Sequence, residues 1–301
     1  MKKLFLLIAT ILIDLSVNAQ QLPLYSQYMM NSFLLNPGIT GSTGYIPIRL
    51  TVRQQWTGIE DAPSTQALSA NGLIGKQNMG IGGYIFNDKF GPISSTGIQA
   101  SYAYHLRINK EIKLGLGLSI SAFQFKMNGA DLHPLDASDQ ALTGNAESTF
   151  VPDANFGAYL YSNKFFVGLS GAQLTQYKIK LNEELAGSNQ MIRHYYLLGG
   201  YQFEVSKEFD IQPSVLIKGT EHTPFQLDVN VKTFYKKNYW LGFSYRTSDA
   251  AIVLIGFKVN RFHLGYAFDY TFSNLSHYST GSHEIMLGVN LGNKNKGNRL
   301  L

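Results

Sequence analysis

The stretch Phe225-Gln226-Leu227-Asp228-Val229-Asn230-Val231-Lys232 decides the fold. Apolar and polar residues alternate through it without a break. In an extended chain successive side chains point to opposite faces. Phe225, Leu227, Val229 and Val231 therefore share one face, and Gln226, Asp228, Asn230 and Lys232 share the other. The same period-two pattern recurs about fourteen times along the chain, separated by turn residues. One greasy face and one charged face, repeated an even number of times, is the signature of an antiparallel β-barrel in lipid.

Composition agrees. Of 301 residues only 15% are charged, with 29 glycines, 18 tyrosines and 19 phenylalanines. Ordinary globular domains carry about 25% charged residues. Few charges with abundant glycine and aromatics suit strands that face lipid between aromatic girdles. The net charge of +5 has no basic block behind it, so nucleic acid is not an expected partner. There is no cysteine, which removes disulfides, thiolate catalysis and zinc-cysteine sites together.

Residues 1–19 read as a secretory signal: Lys2 and Lys3, an apolar run from Leu4 to Ile13, and Val17-Asn18-Ala19 before Gln20. No later run is long and apolar enough for a transmembrane helix, so a membrane-integral form must be a barrel. The competing architecture is a soluble periplasmic β-sandwich. Residues 20–45 do not alternate and form a lead-in or plug. In it Tyr25, Tyr28, Met29, Phe33 and Leu35 share one face of a short helix that Asn36-Pro37-Gly38 ends. The barrel spans 46–292, and 293–301 is a loose polar tail.

Within the barrel the first strand is read at 48–56, the fifth at 111–126, the sixth at 153–161, the eighth at 192–205 and the last at 281–291. The connections alternate between tight turns, such as Ile108–Lys110, and longer stretches, such as Thr57–Ser64, Asp88–Ser94 and Met127–Pro152. Outer-membrane barrels keep short turns in the periplasm and long loops outside. Fourteen strands then place both chain ends in the periplasm.

Face assignments follow from the alternation. Ile48, Leu50, Val52 and Trp56 face lipid, as do Phe262 to Tyr270 and Ile285 to Leu291 at alternate positions. Arg49, Arg53, Asp269 and Glu284 face the lumen, because a charge at mid-membrane on the lipid face costs about 2–4 kcal/mol. The stretch from Ala250 to Phe257 is apolar on both faces, so its inner face needs an apolar partner, such as the lead-in or a greasy ligand. Closing the barrel makes the first and last strands neighbours. That predicts an Arg53–Glu284 pair with Asp269 beside it, in the outer half of the lumen, rather than three separately hydrated charges.

Chemistry-bearing constellations are weak. His263, His277 and His283 lack metal-ligand spacing. In the acidic loop, Asp136 and Asp139 lack the glycine and the closing glutamate of a calcium loop in register. Ser282 and His283 are adjacent in a strand and point to opposite faces. Gly80-Ile81-Gly82-Gly83 and Gly115-Leu116-Gly117 fall inside strands and read as small residues in a curved sheet. No catalytic residue, metal or cofactor is expected, and the chain is read as a non-enzyme.

Several stretches resemble one family. They are Leu24-Tyr25-Ser26-Gln27-Tyr28-Met29 with Asn36-Pro37, then Arg53-Gln54-Gln55-Trp56-Thr57-Gly58-Ile59-Glu60-Asp61-Ala62-Pro63-Ser64-Thr65-Gln66. Gly80 to Tyr84 and Gly281-Ser282-His283-Glu284-Ile285-Met286-Leu287 follow. Together they are similar to the PorP/SprF family of the type IX secretion and gliding machinery of Bacteroidota. The resemblance implies an outer-membrane barrel that supports export or anchoring of large surface proteins. Its implied partners are type IX secretion components, the C-terminal domain of an adhesin-like cargo, and outer-membrane lipid. Tyr25, Gln27, Asn36, Pro37, Arg53, Gln54, Gln55, Trp56, His283 and Glu284 are the motif residues to follow in the fold. The Asn36-Pro37-Gly38 lead-in also resembles the periplasmic end of fatty-acid-transporter barrels, which leaves a channel for hydrophobic solutes as the alternative. Charged lumen residues favour a plugged barrel over an open apolar path.

Overall fold

The computed structural model describes residues 22–75, 78–131, 146–179, 190–221 and 223–292. The signal at 1–19, the tail at 293–301 and Asp136 and Asp139 of the acidic loop lie outside the described residues.

Fourteen strands form the barrel. They are β1 (Ile46–Gln54), β2 (Ser64–Leu73), β3 (Met79–Phe90), β4 (Ile93–Arg107), β5 (Lys113–Asn128), β6 (Ala146–Tyr161) and β7 (Phe165–Ala172). β8 (His194–Tyr201) continues as Phe203–Glu204 along the same neighbour. β9 (Phe209–Thr220), β10 (Gln226–Tyr235), β11 (Tyr239–Arg246), β12 (Ala250–Val259), β13 (Phe262–Thr271) and β14 (Ser282–Leu291) complete the set. Each strand pairs antiparallel with its sequence neighbour, and β14 pairs with β1, so the sheet has no edge.

Burial is inverted relative to a water-soluble domain. Ile120 is 71% exposed and Leu118 61%, whereas Arg53 and Glu284 are 1% and 0% exposed. Most exposed apolar residues of the strands face outward, as a lipid-embedded wall requires. The inward apolar face of β12, Ile252 and Leu254, joins one cluster with Tyr28, Met29, Phe33 and Ile39 of the lead-in.

Three expectations change. The lead-in is not one short helix but three 3₁₀ turns, Tyr28–Met30, Ser32–Leu34 and Pro37–Ile39. Asn31 breaks the run at φ −147°. Pro37 forces Asn36 into an extended conformation, so Asn36 starts the third turn instead of ending a helix. β6 begins at Ala146 rather than at 153, and its 16 residues pair with the 16 of β5 as far as Asn128↔Ala146. A bilayer needs about 9–11 residues per strand. The excess lies at the long-loop end, where Gln124, Lys126 and Ser148 replace apolar residues on the outer face. That polar outer face is why Ala146–Pro152 reads as loop in the sequence. The connection read at Asp88–Ser94 is a tight hairpin instead, with Gly91 at φ +54° between Phe90 and Ile93.

Candidate functional site

The lead-in threads the lumen from end to end. Leu22 N donates to His194 Nε2 (3.4 Å) at the start of β8, the end of the barrel where the long connections lie. Gly41 N donates to Asn71 Oδ1 (2.9 Å) near the far end of β2, and Thr40 O lies 2.8 Å from His105 Nε2 near the end of β4. Leu291 closes β14 at the short-turn end, as the strand alternation requires. Leu22, the first described residue, stands at the opposite end, because the chain crosses the lumen before entering β1.

At the long-loop end the segment is latched by charges. The β1–β14 register sets Arg53 opposite Glu284, and both side chains turn inward. Arg53 Nη1 lies 3.4 Å from Glu284 Oε2 and Nη2 2.8 Å from Asp269 Oδ2. Arg246 brings a second guanidinium: Nε to Asp228 Oδ2 at 3.0 Å, and Nη1 to Asp249 Oδ2 at 3.3 Å and Asp269 Oδ2 at 3.4 Å. Ser26 sits between them. Its hydroxyl donates to Asp269 Oδ2 (2.6 Å) and accepts from Arg53 Nη1 (2.8 Å). Its N–H and that of Gln27 donate to the two oxygens of Glu284, at 2.7 and 2.9 Å. Successive backbone N–H groups make a natural anion cradle, and here the barrel wall supplies the anion. Gln27 Nε2 adds a bond to Glu284 O (3.2 Å). Charges walled off this completely need such pairing, since each lost partner leaves an uncompensated ion.

At the short-turn end the segment is held by shape. Asn36 Nδ2 donates to Ala158 O (3.0 Å) and Leu169 O (3.3 Å), and Asn36 Oδ1 accepts from Gly38 N (2.8 Å). Pro37 lies against Gly117, Gly38 against Gly115, Asn36 against Gly157 and Thr40 against Gly80, so close that a Cβ on any of these wall glycines would overlap the segment. Those glycines therefore do more than allow curvature: they let a second backbone lie against the wall.

The other motif residues separate. Tyr25 packs at the edge of the lumen's apolar cluster. Gln54 and His283 are paired in register but face outward; His283 Nδ1 lies 2.6 Å from Tyr266 Oη, away from Glu284. Trp56 does not continue the outer face of β1. It lies past the strand end at φ +44°, its N–H donates to Ser282 Oγ (3.1 Å), and with Gln55 it lines an inner cavity. Sequence reasoning missed Ser26, Arg246, Asp228 and Asp249 as members of the charge network. The inward position of Asp228 was legible, but its partner on the next strand needs the register. Among the described residues no group of three or more His, Asp or Glu side chains is placed to hold a metal ion. His263 faces inward and His283 outward. The arrangement can clamp a chain segment, and the Ser26 hydroxyl that meets Asp269 is held there between two guanidinium groups.

The solved toluene transporter TbuX of Ralstonia pickettii is similar, with a TM-score of 0.52 at 9% identity over 88% of this chain and 92% of that one. The Pseudomonas putida toluene transporter TodX gives 0.47 at 10% identity, over 88% and 92%. The outer membrane protein Omp33 of Acinetobacter baumannii gives 0.46 at 8%, over 84% and 99%. At such identity the likeness to TbuX is one of fold. No curated protein matches. The family model of the type IX secretion system membrane protein PorP/SprF matches residues 17–289. A match over nearly the whole chain, on a closed fourteen-strand barrel with a lipid-facing exterior, makes this outer-membrane protein a member of the PorP/SprF family of type IX secretion system membrane proteins.

Proposed function

We propose that the barrel is a non-enzymatic component of the type IX secretion and gliding machinery that supports export or surface anchoring of large cargo proteins through protein–protein contacts. The family match over 17–289 carries this reading. The threaded lumen supports it, because a barrel filled along its length by its own chain is suited to docking rather than conduction. Its partners in this reading are other type IX components, the C-terminal domain of an adhesin-like cargo, and outer-membrane lipid. The short turns face the periplasm and the long connections the cell exterior.

Deleting the gene should abolish surface display or secretion of one or a few large proteins and leave uptake of hydrophobic solutes unchanged. Normal secretion with lost uptake would reverse the assignment in favour of a solute channel. For orientation, a protease site inserted within 132–145 should be cut on whole cells, and one within 293–299 should be spared. The opposite pattern would invert the barrel.

A further inference from the structure

We propose that the long-loop mouth of the lumen is a binding site for a small molecule with an apolar, ring-sized body and a single amine head. A cavity of about 420 Å³ opens there between the start of the threaded segment and strands β3 to β5, within the usual range of roughly 300–1,000 Å³ for small-molecule sites. Its floor is aromatic: Phe86 and Phe123 lie with ring centroids 6.0 Å apart, and Phe125 joins them. Trp56 stands on its rim side, beyond the end of β1.

Among the described lining residues Asp88 alone is charged. Its Oδ1 accepts from Thr65 Oγ1 at 2.5 Å. A carboxylate on an apolar wall, partnered by a neutral hydroxyl, is stabilised by a cationic donor. Phe86 lies two residues nearer the barrel middle on the same face of β3, so rings lie below the carboxylate. A ligand that inserts its apolar body first leaves its amine level with Asp88. The inference does not depend on the secretion role.

The probe is 4-bromobenzylamine, titrated into the full chain in detergent micelles. The chain has 2 tryptophans, Trp56 and Trp240. Trp240 is buried near the short-turn end of β11, so it serves as an internal reference. Bromine should quench Trp56 saturably, and Trp56→Phe should remove the response. Asp88→Asn should weaken binding about tenfold, the scale of one hydrogen bond to a charged group. Ser95→Phe, which sets a ring directly across from Asp88 and leaves the charge, should weaken binding. Linear quenching of both tryptophans would mean partition into detergent and would overturn the site. Binding equally strong for 4-bromotoluene and indifferent to Asp88→Asn would overturn the amine assignment. Shielding of Trp56 by a cargo C-terminal domain, with no response to the probe, would assign the cavity to a protein and overturn the proposal.

Discussion

The two ends of the lumen hold one segment by opposite means. Around Ser26 the wall offers charged side chains, and each contact has a named partner: Arg53, Arg246, Asp269, Glu284. Around Asn36 to Thr40 the wall offers no charged latch: glycine backbone lies against the segment, and neutral groups such as His105 and the carbonyls of Ala158 and Leu169 complete the contacts. The first is specific because charges buried together tolerate no missing member. The second is specific because close-packed surfaces tolerate no added atom. A latch and a mould therefore respond differently to mutation, and the difference is measurable.

The largest effect is expected at the latch. Arg246→Ala strips Asp228, Asp249 and Asp269 of a shared partner and should cost about 3–5 kcal/mol, read by urea unfolding of the barrel in lipid vesicles. At the mould, Gly117→Val should cost about 1–3 kcal/mol through overpacking against Pro37. Gly199→Ala should cost far less, because the nearest atom to its Cβ would be 3.6 Å away. Equal costs at the two glycines would remove the mould from the account. Arg53→Ala and Glu284→Ala together should depart from additivity by on the order of 1 kcal/mol; strict additivity would mean that the two charges act separately. The smallest effect belongs to His283→Ala, which should change stability by less than about 0.5 kcal/mol and leave the segment in place, because His283 faces away from it.

Much of this was legible in the sequence. Period-two alternation assigned inward and outward faces, and closure of an even barrel placed Arg53 beside Glu284. The apolar inner face of β12 called for an apolar filling, and the segment supplies it. What stayed hidden has physical causes. Alternation describes strands only, so it said nothing of the direction in which residues 22–45 cross the lumen. Arg246 reaches Asp228 on β10 and Asp269 on β13, contacts across a curved wall that no local pattern encodes. The glycines of β3 and β5 looked like curvature because the backbone that needs their space lies far away in sequence. Trp56 looked lipid-facing because alternation cannot see the positive φ that ends the strand.

The central claim is that the protein's own segment fills its lumen. Single-channel conductance in planar bilayers tests it most directly. The full chain should give no current steps, and a chain lacking residues 22–42 should open a stable ion-conducting pore. Steps of the same size from the full chain would contradict the account.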